Sequence, residues 1–336
     1  MTQLPISVLL PFRNAAPYLR ESLDSIAAQS FQDYQVIMVN DSTTDSSQRT
    51  AAAYAERDSR FSLVDNSGRG LVDALNTGLH SAEGTWIARM DADDLAHEDR
   101  LKEQLKLAEQ CGTETVVTCM VRSFPREEVT EGFRRYEEWL NGLVTPKDIR
   151  HNIFVESPVP HPSAFFHRES ILARGGYMER ELPEDYELWL RLWSMGFSFA
   201  RVPRILLFWR EHRNRFSRVS PAYSLTGFYR LKARYLEHVP CMSRKRIIIA
   251  GSGQTGRRLG KCLQDSGFTI EAFVDPSTER QGSTLRGAPI IPPEWLVEKR
   301  DLPVVVASRM PGARDAVKSF LKGLGYREWE DFVCCS

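Results

Sequence analysis

No sign of charge predominates in this chain: 44 Lys and Arg meet 44 Asp and Glu, which removes any whole-protein electrostatic case for nucleic acid or an anionic membrane as the main partner. The six cysteines, Cys111, Cys119, Cys241, Cys262, Cys334 and Cys335, show no CxxC spacing, and no His pair at finger spacing joins them. A cysteine metal site is therefore excluded and a reduced, cytoplasmic setting is the expectation. No stretch approaches ~18 consecutive apolar residues, so no transmembrane segment is expected. The opening "MTQLPISVLLPF" lacks a basic leader and is not expected to act as a signal peptide. Low-complexity segments are missing too. What is present is a 42% hydrophobic content spread over 336 residues, enough for two globular cores at about 150 residues per domain.

Periodicity supplies the fold class. "ISVLLP" and "YQVIMVN" are compact β-branched runs, and between them "APYLRESLDSIAAQS" places Leu19, Leu23 and Ile26 at helical spacing. "DSSQRTAAAYAERD" reads as a helix, "FSLVDN" as a strand, "LVDALNTGLHSA" as a helix and "TWIARM" as the next strand. Strands alternating with helices predict an α/β architecture with a parallel sheet, whose ligands sit beyond the carboxyl ends of the strands.

At one such end the chain turns acidic. "MDADD" gathers Asp91, Asp93 and Asp94 directly after an apolar strand. Carboxylates so close repel one another, and their ionisation near apolar surface is costly unless a cation or many donors compensate. Asp91 and Asp93 offer the hard oxygen ligands that Mg²⁺ or Mn²⁺ takes together with phosphate oxygens. The plainer role for the same residues is a solvated turn that caps a helix starting near His97.

The residues from Ile6 to Leu105 resemble the nucleotide-binding half of family 2 glycosyltransferases, which have the GT-A fold. "LLPFRNAAPYLRESLDSI", "VIMVNDSTTDSS" and "NSGRGLVDALNTGLHSAEGTWIARMDADD" look like three separate parts of that family's pattern. The resemblance implies a nucleotide-sugar donor, contacted by Pro11, Arg13, Asp41, Arg69 and Asp91, and a metal on Asp91 and Asp93. The stretch departs from the family's usual VDDGSTDGS turn, Asn40 and Ser42 being among the departures. Asn40 stands for its first Asp and Ser42 for its Gly, so the nucleoside contact is carried to Asp41 alone.

Further along, "GGYMERELPEDYELWLRLW" looks like the family's acceptor side. Leu188, Leu192 and Met195 recur at helical spacing, and the first turn of that helix carries Glu184 and Asp185. Acids also favour a first turn because the helix dipole is positive there. The resemblance implies that Asp185 is the general base, with Glu184 its neighbour. "WREHRNRFSR" is similar to the family's YRxHxxS segment, with Arg210, His212 and Ser217 at the matching positions. That likeness implies His212 on the metal or diphosphate and Arg210 on the diphosphate; His161 is expected to be structural.

From Arg244 a second α/β unit begins. "RIIIAGSGQTGRRLGKCLQDSGFTIEAFVD" reads as strand, glycine loop, helix and strand, with Gly251, Gly253 and Gly256 placed to let a phosphate approach a helix N-terminus and Asp275 placed to reach a ribose. Such loops also serve merely to pack a helix on a strand. The unit looks like the small Rossmann-like domain of some sugar acetyltransferases, which implies a second nucleotide ligand. The expected organisation is a GT-A domain at 1–218, a helical linker at 219–243 and a Rossmann-like domain at 244–336.

The resulting expectation is an inverting, metal-dependent transferase that uses Mn²⁺ or Mg²⁺ and moves a sugar to a saccharide or lipid-linked saccharide acceptor in polysaccharide or glycoconjugate assembly. It would work in the cytoplasm, with peripheral contact at the inner membrane face. A nucleotidyltransferase would favour a Gly-rich first loop, which "PFRNAAPYLRES" is not; an NAD-dependent oxidoreductase would rest on the second unit alone; and a non-catalytic scaffold would have no use for Asp91, Asp93 and Asp185.

Overall fold

The computed structural model describes residues 4–310 and 312–336. Its contacts divide them into two units. One holds the residues up to Arg150 with Pro158–Arg180 and Met195–Val219, and the other holds His151–Ser157, Glu181–Ser194 and Ser220–Ser336.

The first unit is built on strands β1 (Ile6–Phe12), β2 (Tyr34–Asn40), β3 (Phe61–Asp65), β4 (Trp86–Arg89), β5 (Leu95–Ala96), β6 (Thr115–Phe124), β7 (Phe165–His167) and β8 (Ser198–Arg210). They form one sheet in the order β3-β2-β1-β4-β7-β6-β8-β5. The first four are parallel, in register Ile6 with Tyr34 and Ile6 with Trp86, and β7 then runs antiparallel to both β4 and β6. Every residue of β1 is buried, which is what a strand covered on both faces requires and why it reads as a continuous apolar run rather than an alternating one.

Helices α1 (Leu19–Ala27), α2 (Ser47–Arg57), α3 (Gly70–Ser81), α4 (Arg100–Cys111) and α5 (Glu131–Gly142) complete this unit's longer elements. Leu19, Leu23 and Ile26 of α1 pack into one core with Val8, Leu10 and Met38. The helix expected near His97 begins later. The short strand β5 intervenes and pairs antiparallel with β8 at Leu95 and Phe208, because the acidic turn is drawn toward the end of β8 before the chain can wind up.

The second unit carries β9 (Arg246–Ala250), β10 (Thr269–Val274), β11 (Thr284–Leu285), β12 (Ala288–Ile291), β13 (Val304–Val306) and β14 (Phe332–Cys334), in the order β11-β12-β10-β9-β13-β14. All neighbours but β11 and β12 are parallel. The helix Glu184–Ser194, grouped with the first domain by sequence, clusters with this unit. Tyr223 donates a hydrogen bond to Glu184 and Tyr235 donates one to Glu187 there, at 2.8 and 2.6 Å. Among the described residues no helix is long and apolar enough to cross a membrane.

Candidate active site

The turn Asp91–Asp94 lies just beyond the carboxyl end of β4, where the parallel part of the sheet delivers β2, β1 and β4 side by side. Carboxylate oxygens of Asp91, Asp93 and Asp94 come within 4.8 Å of one another. Two elements hold the turn. From α1, Ser22 donates its hydroxyl to the Asp91 carbonyl at 3.1 Å. From the end of β8, the Arg210 backbone N–H donates to Asp94 Oδ1 at 2.7 Å and its Nε to the Asp93 carbonyl at 2.6 Å, while its Nη2 reaches Glu21 at 2.5 Å. His212 Nε2 lies 2.8 Å from Asp93 Oδ2 and its ring sits 4.8 Å from that of Tyr18. Arg210 and His212, separated from the acidic turn by more than a hundred residues, thus meet it.

The electrostatics of the three acids differ. Burial drives the Asp94 carboxyl well above the ordinary carboxylate range, and the charges of Asp93 and Asp91 push it further. Asp91 is raised for the same first reason, against the pull of Arg89, whose guanidinium forms an ion pair with Asp91 Oδ1. Burial would raise Asp93 as well, but the His212 hydrogen bond and the charge of Arg215 outweigh it and leave that carboxyl below its ordinary value. Asp94 Oδ2 is buried without a hydrogen-bond partner. Hard oxygen donors, mutual repulsion and one orphaned carboxylate oxygen fit a divalent cation of the Mg²⁺ or Mn²⁺ kind.

Beneath the turn lie charges that sequence reasoning missed. Arg89 is 2% exposed and Arg100 is 2% exposed; Arg100 donates to the Arg89 carbonyl at 2.6 Å and to Gln104 at 2.9 Å. The signal was available, since one arginine inside the apolar "WIARM" needs a buried partner. Arg215 of the loop after β8 is a third.

At the carboxyl end of β2, Asp41 is buried, and its Oδ1 accepts from Asn66 Nδ2 at 2.8 Å and from the Gly70 N–H at 2.9 Å. Arg13 Nη1 stands 3.8 Å from Asp41 Oδ2, with its side chain 62% exposed. Pro11 pairs with Val39 within the sheet. Asn40 does what an aspartate could not do at both of its ends: its amide donates to Asp65 at 3.0 Å and its Oδ1 accepts from the Thr43 N–H at 3.1 Å. Ser42, in the place of a glycine, adopts φ 53°, the left-handed region in which glycine is the easy choice. Arg69 is exposed at the start of α3, and its backbone N–H is held by Asp73 at 2.9 Å.

Glu184 and Asp185 open their helix as the sequence indicated, and both are buried. The Tyr223 hydroxyl, unforeseen, reaches Glu184 at 2.8 Å and Asp185 at 3.3 Å. His161 is buried against the Tyr177 hydroxyl at 2.8 Å, and burial, then the charge of Arg89, hold its pKa well below the ordinary value.

In the second unit, a Cβ on Gly256 would lie 1.8 Å from the Gly251 carbonyl, and one on Gly251, already at φ +121°, would lie 2.5 Å from the Ala307 carbonyl. Close packing therefore demands both glycines whatever the loop binds, whereas Gly253 faces open space. Asp275 accepts from the Ser252 N–H at 3.1 Å, the Ser252 hydroxyl, the Ser277 N–H at 3.0 Å and Arg280 at 3.1 Å. Its carboxylate is occupied by its own chain.

A family model described as glycosyl transferase family 2 matches residues 7–176. The chain belongs to this family, and its class is glycosyltransferase. EpsJ of Bacillus subtilis, an uncharacterized glycosyltransferase, is 36% identical over 105 residues, covering 31% of this chain and 30% of EpsJ. The amylovoran biosynthesis glycosyltransferase AmsE of Erwinia amylovora is 26% identical over 190 residues, 56% of this chain and 69% of AmsE. The match thus spans less than a third of EpsJ. Among solved structures, TarS 1–349 of S. aureus in complex with UDP-GlcNAc superposes with a TM-score of 0.56 at 16% identity, covering 78% of this chain and 80% of that 1–349 chain. That likeness identifies the α/β GT-A fold.

Proposed function

We propose that the protein transfers a sugar from a nucleoside-diphosphate sugar to an acceptor hydroxyl with inversion, in polysaccharide or glycoconjugate assembly. The observation that carries this is the Asp91, Asp93 and Asp94 cluster at the end of β4, three carboxylates within 4.8 Å of one another of which Asp94 Oδ2 is buried without a hydrogen-bond partner. Asp41, with Pro11, Arg13 and Arg69 around the ends of β1 and β2, receives the nucleoside. Asp91 and Asp93 with His212 hold a divalent cation, Mn²⁺ or Mg²⁺, which supplies charge neutralisation at the diphosphate. Arg210, anchored by Glu21, adds a fixed positive charge at the same place.

Asp185, by the family resemblance, takes the proton as the acceptor oxygen bonds to the anomeric carbon and the bond to the diphosphate breaks. A positioned base is worth roughly 10²–10⁴ in rate. The acceptor is read as a saccharide or a lipid-linked saccharide, reached at the membrane face by peripheral contact.

The second unit is read as a Rossmann-like domain of the sugar-acetyltransferase kind. A second nucleotide there would have to use the open face of Gly253 and the first N–H groups of the helix Gln254–Asp265, since Asp275 is engaged internally.

The test is a panel of UDP-, GDP- and dTDP-sugars with Mn²⁺ or Mg²⁺, following release of nucleoside diphosphate, with Asp93→Ala and Asp185→Asn alongside. Metal-dependent turnover of one donor that both substitutions abolish supports the reading; release indifferent to both refutes it.

A further inference from the structure

Resting on the reading of Asp185 as the base, we propose that Tyr223 is a positioning residue of the transfer reaction: its hydroxyl, set between the carboxylates of Glu184 and Asp185, keeps Asp185 ionised and in place beside a second buried acid.

Glu184 is 3% exposed and Asp185 9%. Neighbouring buried carboxylates make each other costly to ionise, and the simplest relief is one proton held by the pair, which takes the base out of service. The Tyr223 hydroxyl donates to Glu184 Oε1 at 2.8 Å and lies 3.3 Å from Asp185 Oδ1. The shorter bond stabilises Glu184 in its charged form, and the longer one gives Asp185 a weaker hold from the same group. Asp185 Oδ1 also accepts from the Tyr186 N–H at 2.7 Å, so both donors set the carboxylate from one side.

The chain builds a seat for this hydroxyl. Tyr223 ends the short turn Pro221–Tyr223 and is followed by Ser224, the cap of the helix Leu225–Leu236. Gly227 of that helix lets the turn come close, since a Cβ there would lie 2.5 Å from the Ala222 carbonyl. Phe228 packs its ring against those of Tyr186 at 5.4 Å and Tyr223 at 6.2 Å. A phenylalanine at position 223 would fill the same space, so the hydroxyl serves the acids rather than the packing. The next acid along, Glu187, is met by Arg191 at 2.9 Å and by Tyr235 at 2.6 Å. Its charge has a cation of its own, which leaves Glu184 as the acid that Tyr223 must hold apart from Asp185.

The test is the pH profile of kcat for the donor that supports turnover, with opposite changes expected from two substitutions. Tyr223→Phe should lower kcat roughly three- to thirtyfold with donor KM near that of the unaltered protein. It should also move the acid limb of the profile upward by about one pH unit, because Asp185 loses a donor and Glu184 is released to repel it. Glu184→Gln removes the repelling charge while its amide oxygen still accepts from Tyr223, and should move the limb downward. The double variant should return the limb toward its original place. A merely structural role would change stability and KM and leave the limb where it was.

An unmoved limb in folded Tyr223→Phe overturns the proposal, as does an upward or absent shift in Glu184→Gln, which decides the matter even where Tyr223→Phe does not fold. Asp185→Asn separates the two failures. If it lowers kcat as expected and the limb ignores Tyr223 and Glu184, only the role of Tyr223 falls; if Asp185→Asn turns over normally, the base reading falls and the role of Tyr223 with it.

Discussion

Two aspartate turns, one in each unit, sit at the same kind of place and do opposite things. Asp91–Asp94 follow β4, and Asp275 follows β10, each just past the carboxyl end of a parallel strand. Asp275 is surrounded by donors from Ser252, Ser277 and Arg280, and these hydrogen bonds overcome its burial and hold its carboxyl below the ordinary 3.8. Asp94 is surrounded by other acids and keeps an orphaned oxygen. A carboxylate satisfied by its own chain stabilises a fold; a set that is not satisfied stores repulsion that a ligand can relieve. Position relative to a strand therefore nominates a site, and the balance of donors against charges decides it.

The sharpest break in this contrast is catalytic. Asp93→Ala and Asp185→Asn should each lower kcat by about 10²–10⁴ with the fold intact, whereas Asp275→Asn should leave nucleotide release nearly unchanged in the same assay. Next in size is Gly256→Ala, whose Cβ would meet the Gly251 carbonyl at 1.8 Å. Backbone must move, at a cost of about 3 kcal/mol or more, seen as early loss of the second unit in chemical denaturation.

Asp275→Asn should cost about 1–3 kcal/mol through its charge-assisted bonds. Because the folded-state pKa lies below the ordinary 3.8, that difference is fully present above about pH 5 and fades as the pH falls through the folded value; denaturation of both proteins at pH 7 and pH 3 measures it. Asp94→Asn should have the opposite sign, stabilising the metal-free chain by about 1 kcal/mol, since an amide oxygen still accepts from Arg210 while the repulsion disappears. Thermal melts without divalent ions decide whether the two substitutions move apart. The smallest effect is Gly253→Ala, with open space around its Cβ, which should change stability by less than about 0.5 kcal/mol.

Much of the first unit was legible because its signals are local. The buried runs "ISVLLP" and "YQVIMVN" and the spacing of Leu19, Leu23 and Ile26 became β1, β2 and α1 with small shifts at the ends, since period and burial are properties of neighbouring residues. The acidic turn was legible for the same reason. Its helix was misplaced by a few residues because the competing pull, β5 pairing with β8, comes from residues more than a hundred positions away.

The sequence by itself determined the alternation of strands and helices, the acidic turn after β4, the glycine loop after β9 and the acids that open the helix at Glu184. Tertiary structure alone decided which charges meet. Arg210 and His212 reach the aspartates only because β8 returns to pair with β6 and β5, Arg215 is buried only because Trp209 and Phe133 form its seat, and Asp275 is spent on Ser252 only because β9 and β10 are neighbours. Side-chain type is written residue by residue, but the field at a carboxylate is a sum over everything folded around it.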